Sequence, residues 1–242
     1  MADFYQALAA VYEDVFPLNP GQVQFVLEQL PQAPQPVVDL GCSTGALARK
    51  LAEAGYDVLG IDLSENMIAQ AQQAAASQAY RGSVEFKVAD MRQVAATTQA
   101  AGALLCLGNT LVHLTAADQL AQFLRSCNQA LQGDGPFIGQ IVNYDRVAVQ
   151  QVTQLPTLQG KRGNQLQRFY HPREDGLLDF ATTLILSDGT EIDSTVTLRP
   201  LLRQQLAKSL QGAGFSNVRW FGSYQGEAWS EGTFHTIFVA SK

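Results

Sequence analysis

Val37-Val38-Asp39-Leu40-Gly41-Cys42-Ser43-Thr44-Gly45-Ala46-Leu47-Ala48-Arg49-Lys50-Leu51 is the stretch on which the fold turns. Its first four residues form a short apolar run after the proline-rich segment 31–36, and they read as a buried strand. Leu47 and Leu51 stand four apart, on one face of a helix. Between strand and helix, Gly41 and Gly45 let the backbone come close to a ligand, and the free N–H groups of a helix N-terminus point at it. That is a nucleotide-type site at the carboxyl end of a strand, where open α/β sheets bind ligands.

Several readings compete for this corner. Gly41-Cys42-Ser43-Thr44-Gly45 matches G-x-S-x-G, the nucleophile elbow of α/β-hydrolases, with Ser43 as nucleophile. Such an elbow normally follows several strands, whereas helical patterns and a proline-rich segment precede this one. The three histidines offer no convincing late base, since His235 sits inside an apolar, strand-like run. The fingerprint G-x-G-x-x-G is not met, because Ser43 and Ala46 stand at its second and third glycines. A structural turn without a ligand is a further reading. Asp39-x-Gly41-x-Ser43-x-Gly45 resembles D-x-G-x-G-x-G, the first motif of class I S-adenosylmethionine-dependent methyltransferases, with serine at the middle glycine. The resemblance implies S-adenosyl-L-methionine as cofactor, S-adenosyl-L-homocysteine as product, and cofactor contacts from Asp39, Gly41, Cys42, Ser43 and Gly45.

The chain downstream extends that resemblance. Residues 57–63 read as a strand ending in Asp62, about twenty residues after the glycine turn, where an acid binds ribose hydroxyls in dinucleotide folds. A carboxylate accepts both hydrogen bonds of a cis-diol; helix capping is the alternative, but Ser64 is better placed for it. Leu63 joins the cofactor set by resemblance. The run from Asp62 through Ser64 to Met67 resembles D-x-S-x-x-M of these enzymes and puts Met67 against adenine or ribose, with core packing as the alternative. Residues 84–91 alternate as a strand. By resemblance Asp90 there accepts from the adenine amino group and Met91 packs on the ring; loop capping is the alternative for Asp90. Cys106-Leu107-Gly108-Asn109, with His113-Leu114 after it, resembles glycine N-methyltransferase and its relatives. This puts the carbonyls of Leu107 and Gly108 at the methionine part of the cofactor and Asn109 and His113 on the acceptor side. His113 is then either a proton acceptor or a structural hydrogen-bonder.

Residues 3–16 and 22–30 show helical spacing, and the resemblance makes segment 1–30 a lid, with Tyr5 and Tyr12 walling the pocket or simply packing the helix. A helix is expected over 116–131 and the fifth strand over 137–142. Asn143-Tyr144-Asp145-Arg146 again resembles the glycine N-methyltransferase group. In that group an arginine just before this run holds the amino-acid carboxylate; Val142 stands there here. Residues 147–199 read as an antiparallel insertion with strands at 165–171, 176–187 and 191–198 and a hairpin at 187–190. Arg168, Tyr170 and His171 are its candidates for the acceptor site, and Arg168 with Arg146 for a substitute carboxylate clamp; exposed strand charges are the alternative. The substrate-side set is thus Tyr12, Asn143, Tyr144, Arg168 and Tyr170. A helix over 199–212, starting near Pro200, and strands at 217–224 and 233–240 complete the chain.

The expected fold is a single Rossmann-like α/β domain, 1–242, of the class I methyltransferase type. The resemblance implies a mostly parallel, seven-stranded sheet of order 3-2-1-4-5-7-6, with helices on both faces and the small antiparallel insertion after the fifth strand forming part of the acceptor pocket. A net charge of −6 argues against non-specific nucleic-acid binding. Cysteines at 42, 106 and 127 lack metal-ligand spacing, so no metal is expected, and their odd number suits reduced thiols in the cytoplasm. No signal peptide and no apolar run of about 20 residues is apparent, so no membrane partner is expected. The expected function is methyl transfer to a small-molecule acceptor, nitrogen slightly favoured over oxygen, by a monomer or homodimer. A cofactor-binding sensor without catalysis and a serine hydrolase are the alternatives.

Overall fold

The corner around Gly41 is built as the pattern demands. The computed structural model describes residues 2–33, 35–98, 100–116 and 118–242, with side chains from Phe4 onward. Positions 1, 34, 99 and 117 lie outside the described residues, and with them single positions of the expected 1–30 lid, 31–36 linker and 116–131 helix.

Strand β1 (Pro36–Leu40) is buried along its last four residues, as a central parallel strand covered on both faces must be. It leads into α3 (Ala46–Glu53), which follows two helices, α1 (Ala2–Val15) and α2 (Pro20–Gln29). The chain then alternates β2 (Asp57–Asp62), α4 (Glu65–Ala76), β3 (Ser83–Val88), the short α5 (Val94–Thr97), β4 (Ala103–Cys106), α6 (Gln119–Ala130) and β5 (Phe137–Val142). After α7 (Tyr144–Val149) come four strands, β6 (Gln154–Gln159), β7 (Gln165–Pro172), β8 (Leu178–Ile185) and β9 (Glu191–Leu198). Helix α8 (Arg203–Gly212) and strands β10 (Asn217–Phe221) and β11 (His235–Ser241) close the chain.

The main sheet has seven strands in the order β10-β11-β5-β4-β1-β2-β3, the arrangement expected once β10 and β11 count as sixth and seventh. Strand β1 runs parallel to β2 and β4, while β11 is antiparallel to β5 and β10. Because side chains alternate along a strand, neighbours feed opposite layers. Val38, Leu40 and Leu104 join Phe123, Phe137 and Phe238 on one face; Val37 and Leu105 join Leu51, Val58 and Phe86 on the other.

The structure departs from the sequence pattern at several places. Helix α2 starts at Pro20, because Asn19 Oδ1 accepts from Gly21 N at 2.8 Å and proline suits a first helical turn. Helix α8 starts at Arg203, since Leu202 is extended and Arg203 N donates to Asp145 Oδ2 at 2.8 Å. Strand β6 went unseen because Pro156 and a bulge between Leu155 and Leu158 break its alternation, as an edge strand permits. The closing strands are shorter than 217–224 and 233–240 suggest. No helix among the described residues is long and apolar enough to cross a membrane.

The second sheet, β6-β7-β8-β9, stands apart from the first, and α1 bridges the two. Phe4, Leu8 and Val15 pack with Met67 of α4 and with Leu166 and Leu184 of the small sheet. Asp14 accepts from Asn164 Nδ2 at 2.8 Å and from Arg162 N at 3.0 Å; Glu13 accepts from Thr44 Oγ1 at 3.0 Å and Arg49 Nη2 at 2.7 Å.

Candidate active site

A cavity of about 660 Å³ opens where β1, β2, β3 and β4 end. Gly41 and Ser43 supply one wall, Asp62, Leu63 and Met67 a second, Asp90 and Met91 a third, and Gly108 with His113 a fourth. Tyr5, Leu8 and Tyr12 of α1 cover it. The corner is tight by necessity. A Cβ on Gly41, whose φ is +76°, would stand 2.5 Å from Thr110 Cγ2. Ser43 takes a left-handed φ of 50°, and its N–H donates to Asp62 Oδ2 at 3.0 Å while its hydroxyl donates to the Tyr12 hydroxyl at 3.0 Å.

Three acids shape the electrostatics. Burial raises the Asp62 pKa, opposed by N–H donors of Ser64, Ser43 and Leu63. Asp39 lies beneath it, 4% exposed, and burial together with the nearby Asp62 charge pushes its pKa up to about 7. Asp90 is held below its ordinary value by Arg92, whose Nε donates to Oδ2 at 2.8 Å and whose backbone N–H donates to Oδ1 at 2.9 Å. The capping alternative for Asp90 is therefore realised, and Arg92 must swing aside before Asp90 can accept from a ligand amine. His113 opens to solvent at the cavity mouth, yet the surrounding walls lower its pKa, with Asp62 pulling the other way.

Tyr12, Gly41, Ser43, Asp62, Leu63, Met67, Asp90, Met91, Gly108 and His113 thus meet in one cavity. The other expected contacts do not line it. Cys42 turns its side chain into the core against Phe86, and its N–H donates to Ile61 O, so it offers a ligand neither group. Gly45 serves packing: a Cβ there would stand 2.3 Å from Phe86 Cζ. The Leu107 carbonyl accepts from Thr110 N and, at 2.7 Å, from Thr110 Oγ1, which occupies both lone pairs. Asn109, in a left-handed turn, accepts from Val142 N at 2.9 Å and donates to the Tyr144 hydroxyl at 3.1 Å, so it ties β5 and α7 to the loop that enters the cavity. Asn143 is fully buried; it caps α7 and donates to the carbonyls of Ser230 and Thr233 at 3.0 and 2.9 Å. That leaves Asn143 no free group for a substrate. Tyr144 and Tyr170 are both buried in the aromatic layer between α7 and the small sheet, rings 6.1 Å apart. Arg168 is half-buried on the inner face of that sheet, while His171 is exposed on the outer one.

Gln140 was missed. It is buried in the middle of β5, and its Oε1 accepts from Gly108 N at 2.9 Å, fixing the loop that enters the cavity. Its Nε2 donates to His235 Nδ1 at 3.0 Å, and the Tyr224 hydroxyl, itself bonded to Gln22 of α2, completes the network. A lone amide within the apolar run 137–142 was the signal available. Burial lowers the His235 pKa to about 4, so this histidine is a neutral acceptor committed to Gln140. The hydrolase reading fails here, since Ser43 bonds to Tyr12 and not to a histidine.

Residues 37–135 match the family model of a methyltransferase domain. Glycine/sarcosine N-methyltransferase of Aphanothece halophytica is 26% identical over 208 residues, covering 85% of this chain and 76% of that protein. The chain spans 58% of the length of a Bacillus subtilis relative at 27% identity, and 25% and 24% of two further relatives at 43% identity. Among solved structures, the CcbJ methyltransferase of Streptomyces caelestis superposes with a TM-score of 0.83 at 20% identity, over 96% of this chain and 95% of that one. An S-adenosylmethionine-dependent methyltransferase of Clostridium acetobutylicum gives 0.81 at 17% identity, over 98% of each. Residues 37–135 are thus similar to a methyltransferase domain, and the fold of the chain is that of the class I S-adenosylmethionine-dependent methyltransferases.

Proposed function

We propose that this chain transfers a methyl group from S-adenosyl-L-methionine to a small-molecule acceptor, at nitrogen in preference to oxygen. The observation that carries the reading is the convergence of Asp62 and Asp90, at the ends of adjacent parallel strands, with the Gly41 corner in one cavity. The residues fit the cofactor. Each Asp62 oxygen accepts one backbone N–H and keeps a lone pair for a ribose hydroxyl. Leu63 and Met91 offer apolar surface for a flat ring, and the Asp39–Asp62 pair suits a cationic ligand. Bound there, the cofactor supplies a methyl group on a cationic sulfur that is already a good leaving group.

The chain's own work is alignment. Holding two reactants in line contributes about 7–11 kcal/mol to lowering a barrier. Gln140 and Asn109 set the Gly108 loop, and segment 1–30 acts as the lid through Tyr5 and Tyr12. A neutral amine needs no base to attack; His113, uncharged at neutral pH, stands ready to take the proton released afterwards. The similarity to a glycine/sarcosine N-methyltransferase supports nitrogen as the acceptor atom, and Val142 argues against that group's carboxylate clamp. The buried free thiols of Cys42, Cys106 and Cys127 suit a reducing compartment such as the cytoplasm.

Transfer of labelled methyl from the cofactor across a panel of amines, carboxylates and phenols tests the reading; tight binding with no transfer to any of them would favour a sensor. Ser43→Ala is expected to bind the cofactor and still transfer methyl, and an esterase activity lost in that variant would restore the hydrolase. A pH dependence follows from Asp39. Its folded pKa lies above the unfolded value, so its contribution to the stability of the free chain is present at low pH and lost as pH rises through about 7. A cationic ligand favours the ionised pair and releases a proton. Cofactor affinity is therefore expected to rise with pH up to about 7, by as much as about tenfold per pH unit. Asp39→Asn should flatten that slope in calorimetric titrations; an equally steep slope in the variant would remove Asp39 from the account.

A further inference from the structure

Five buried side-chain polar atoms lack a hydrogen-bond partner among the described residues; Arg168 Nε, Tyr170 Oη and Ser194 Oγ belong to the inner face of the small sheet, and Arg146 Nε to α7, which packs against it. Register places them. Arg168 pairs with Thr182, and Thr182 with Ser194, so these three form one cross-strand row. Residues two apart on a strand share a face, so Tyr170, paired with Phe180, stands in the next row of the same face. Leu166, Leu184 and Ile192 form the row on the other side. That apolar row packs against α1, while Tyr170, Phe180 and Val196 pack toward Tyr144 and Val147 of α7. The polar row therefore crosses an otherwise apolar roof, between α1, which covers the cavity, and α7, which Asn109 ties to the cavity loop.

Arg146 reaches this region from α7, its guanidinium 5.0 Å above the Phe234 ring. Burial raises the Tyr170 pKa, and the Tyr144 hydroxyl and the charges of Arg168 and Arg146 oppose it. Neither arginine has a carboxylate within 4.0 Å among the described residues. Among the described residues the Arg146 guanidinium donates only to Gln150 Oε1 at 3.3 Å, and that of Arg168 only to Pro156 O at 2.7 Å. Two half-buried guanidiniums without a counter-charge among the described residues, on elements that pack around the buried Tyr170, are costly unless an anion joins them.

We propose that this roof is an oxyanion subsite, in which Arg146, Arg168, Tyr170 and Ser194 hold a carboxylate or phosphate carried by the methyl acceptor. The proposal rests on the methyltransferase reading of the cavity beneath it. It assigns the acceptor a class, an anionic small molecule, and it puts the charge recognition on the insertion in place of Val142.

The test follows the Nε–H signals of the full chain labelled with ¹⁵N-arginine, titrated with succinate, inorganic phosphate and the uncharged succinamide. Conservative Arg146→Lys and Arg168→Lys variants assign the two signals. Saturable shifts of both signals with succinate or phosphate, absent with succinamide, support the subsite, and the tighter of the two anions identifies the group. Tyr170→Phe with Ser194→Ala, which keep both cations, should weaken that binding by about tenfold or more. Shifts no larger than those of the exposed Arg81, or binding unchanged in the Tyr170 and Ser194 variants, would overturn it. Calorimetry with S-adenosyl-L-homocysteine runs alongside: cofactor binding without an anion response sinks this proposal alone, whereas an anion response without cofactor binding sinks the reading beneath it.

Discussion

Replacing Asp62 with alanine is expected to lower affinity for S-adenosyl-L-methionine by more than about tenfold. Two losses combine. The first is the diol acceptor, a pair of charge-assisted hydrogen bonds in a partly buried wall of the cavity. The second is the corner itself, since Ser43 N at 3.0 Å and Ser64 N at 2.9 Å lose their common acceptor. Ser43 then has no anchor for its left-handed backbone, and its link to Tyr12 on the lid slackens. Asp62→Asn separates the two losses, because an amide oxygen can keep one backbone N–H while it offers a ribose only one weaker acceptor. Calorimetric titration with thermal melts as a folding control decides the matter. Native melting and undiminished affinity in Asp62→Ala would end the ribose assignment.

Gly45→Ala is expected to destabilise the chain by about 2–4 kcal/mol, the sum of left-handed strain and overpacking. The φ at Gly45 is +73°, and an added Cβ meets Phe86 Cζ at 2.3 Å, Phe86 Cε1 at 2.4 Å and Ala71 Cβ at 3.2 Å. Phe86 cannot retreat freely, being 5% exposed between α3 and the sheet, where it also lies 2.6 Å from a Cβ built on Gly60. Urea unfolding should show a lower midpoint with an unchanged slope. Pairing the substitution with Phe86→Leu should recover about 1 kcal/mol of the loss, because the two sites share one contact. A Gly45→Ala chain within about 0.5 kcal/mol of the parent would show that the backbone yields and that packing does not require this glycine.

The two glycines of the corner show what a motif conveys. Both stand where the pattern asks for glycine, yet only Gly41 borders the cavity, whereas Gly45 exists for helix–sheet contact. The central strands were legible because buried parallel strands read as apolar runs and glycine turns punctuate them, and their order was what the family resemblance implied. Asp62 was legible because it ends such a run, and Asp90 because it closes an alternating, strand-like stretch. Strand β6 was not, because an edge strand tolerates Pro156 and a bulge that erase the alternation.

Local pattern thus determined the α/β alternation and the acids at the ends of its strands, since each depends on residues near one another in the chain, whereas the sheet order followed from the family resemblance. Only the tertiary structure decided which polar groups remain free. Asn109, Asn143 and the Leu107 carbonyl find partners within the protein, while Arg146 Nε, Arg168 Nε, Tyr170 Oη and Ser194 Oγ, from α7 and two strands, have none among the described residues. A side chain's type states what it can bind; whether that capacity is already filled depends on which distant segments fold against it.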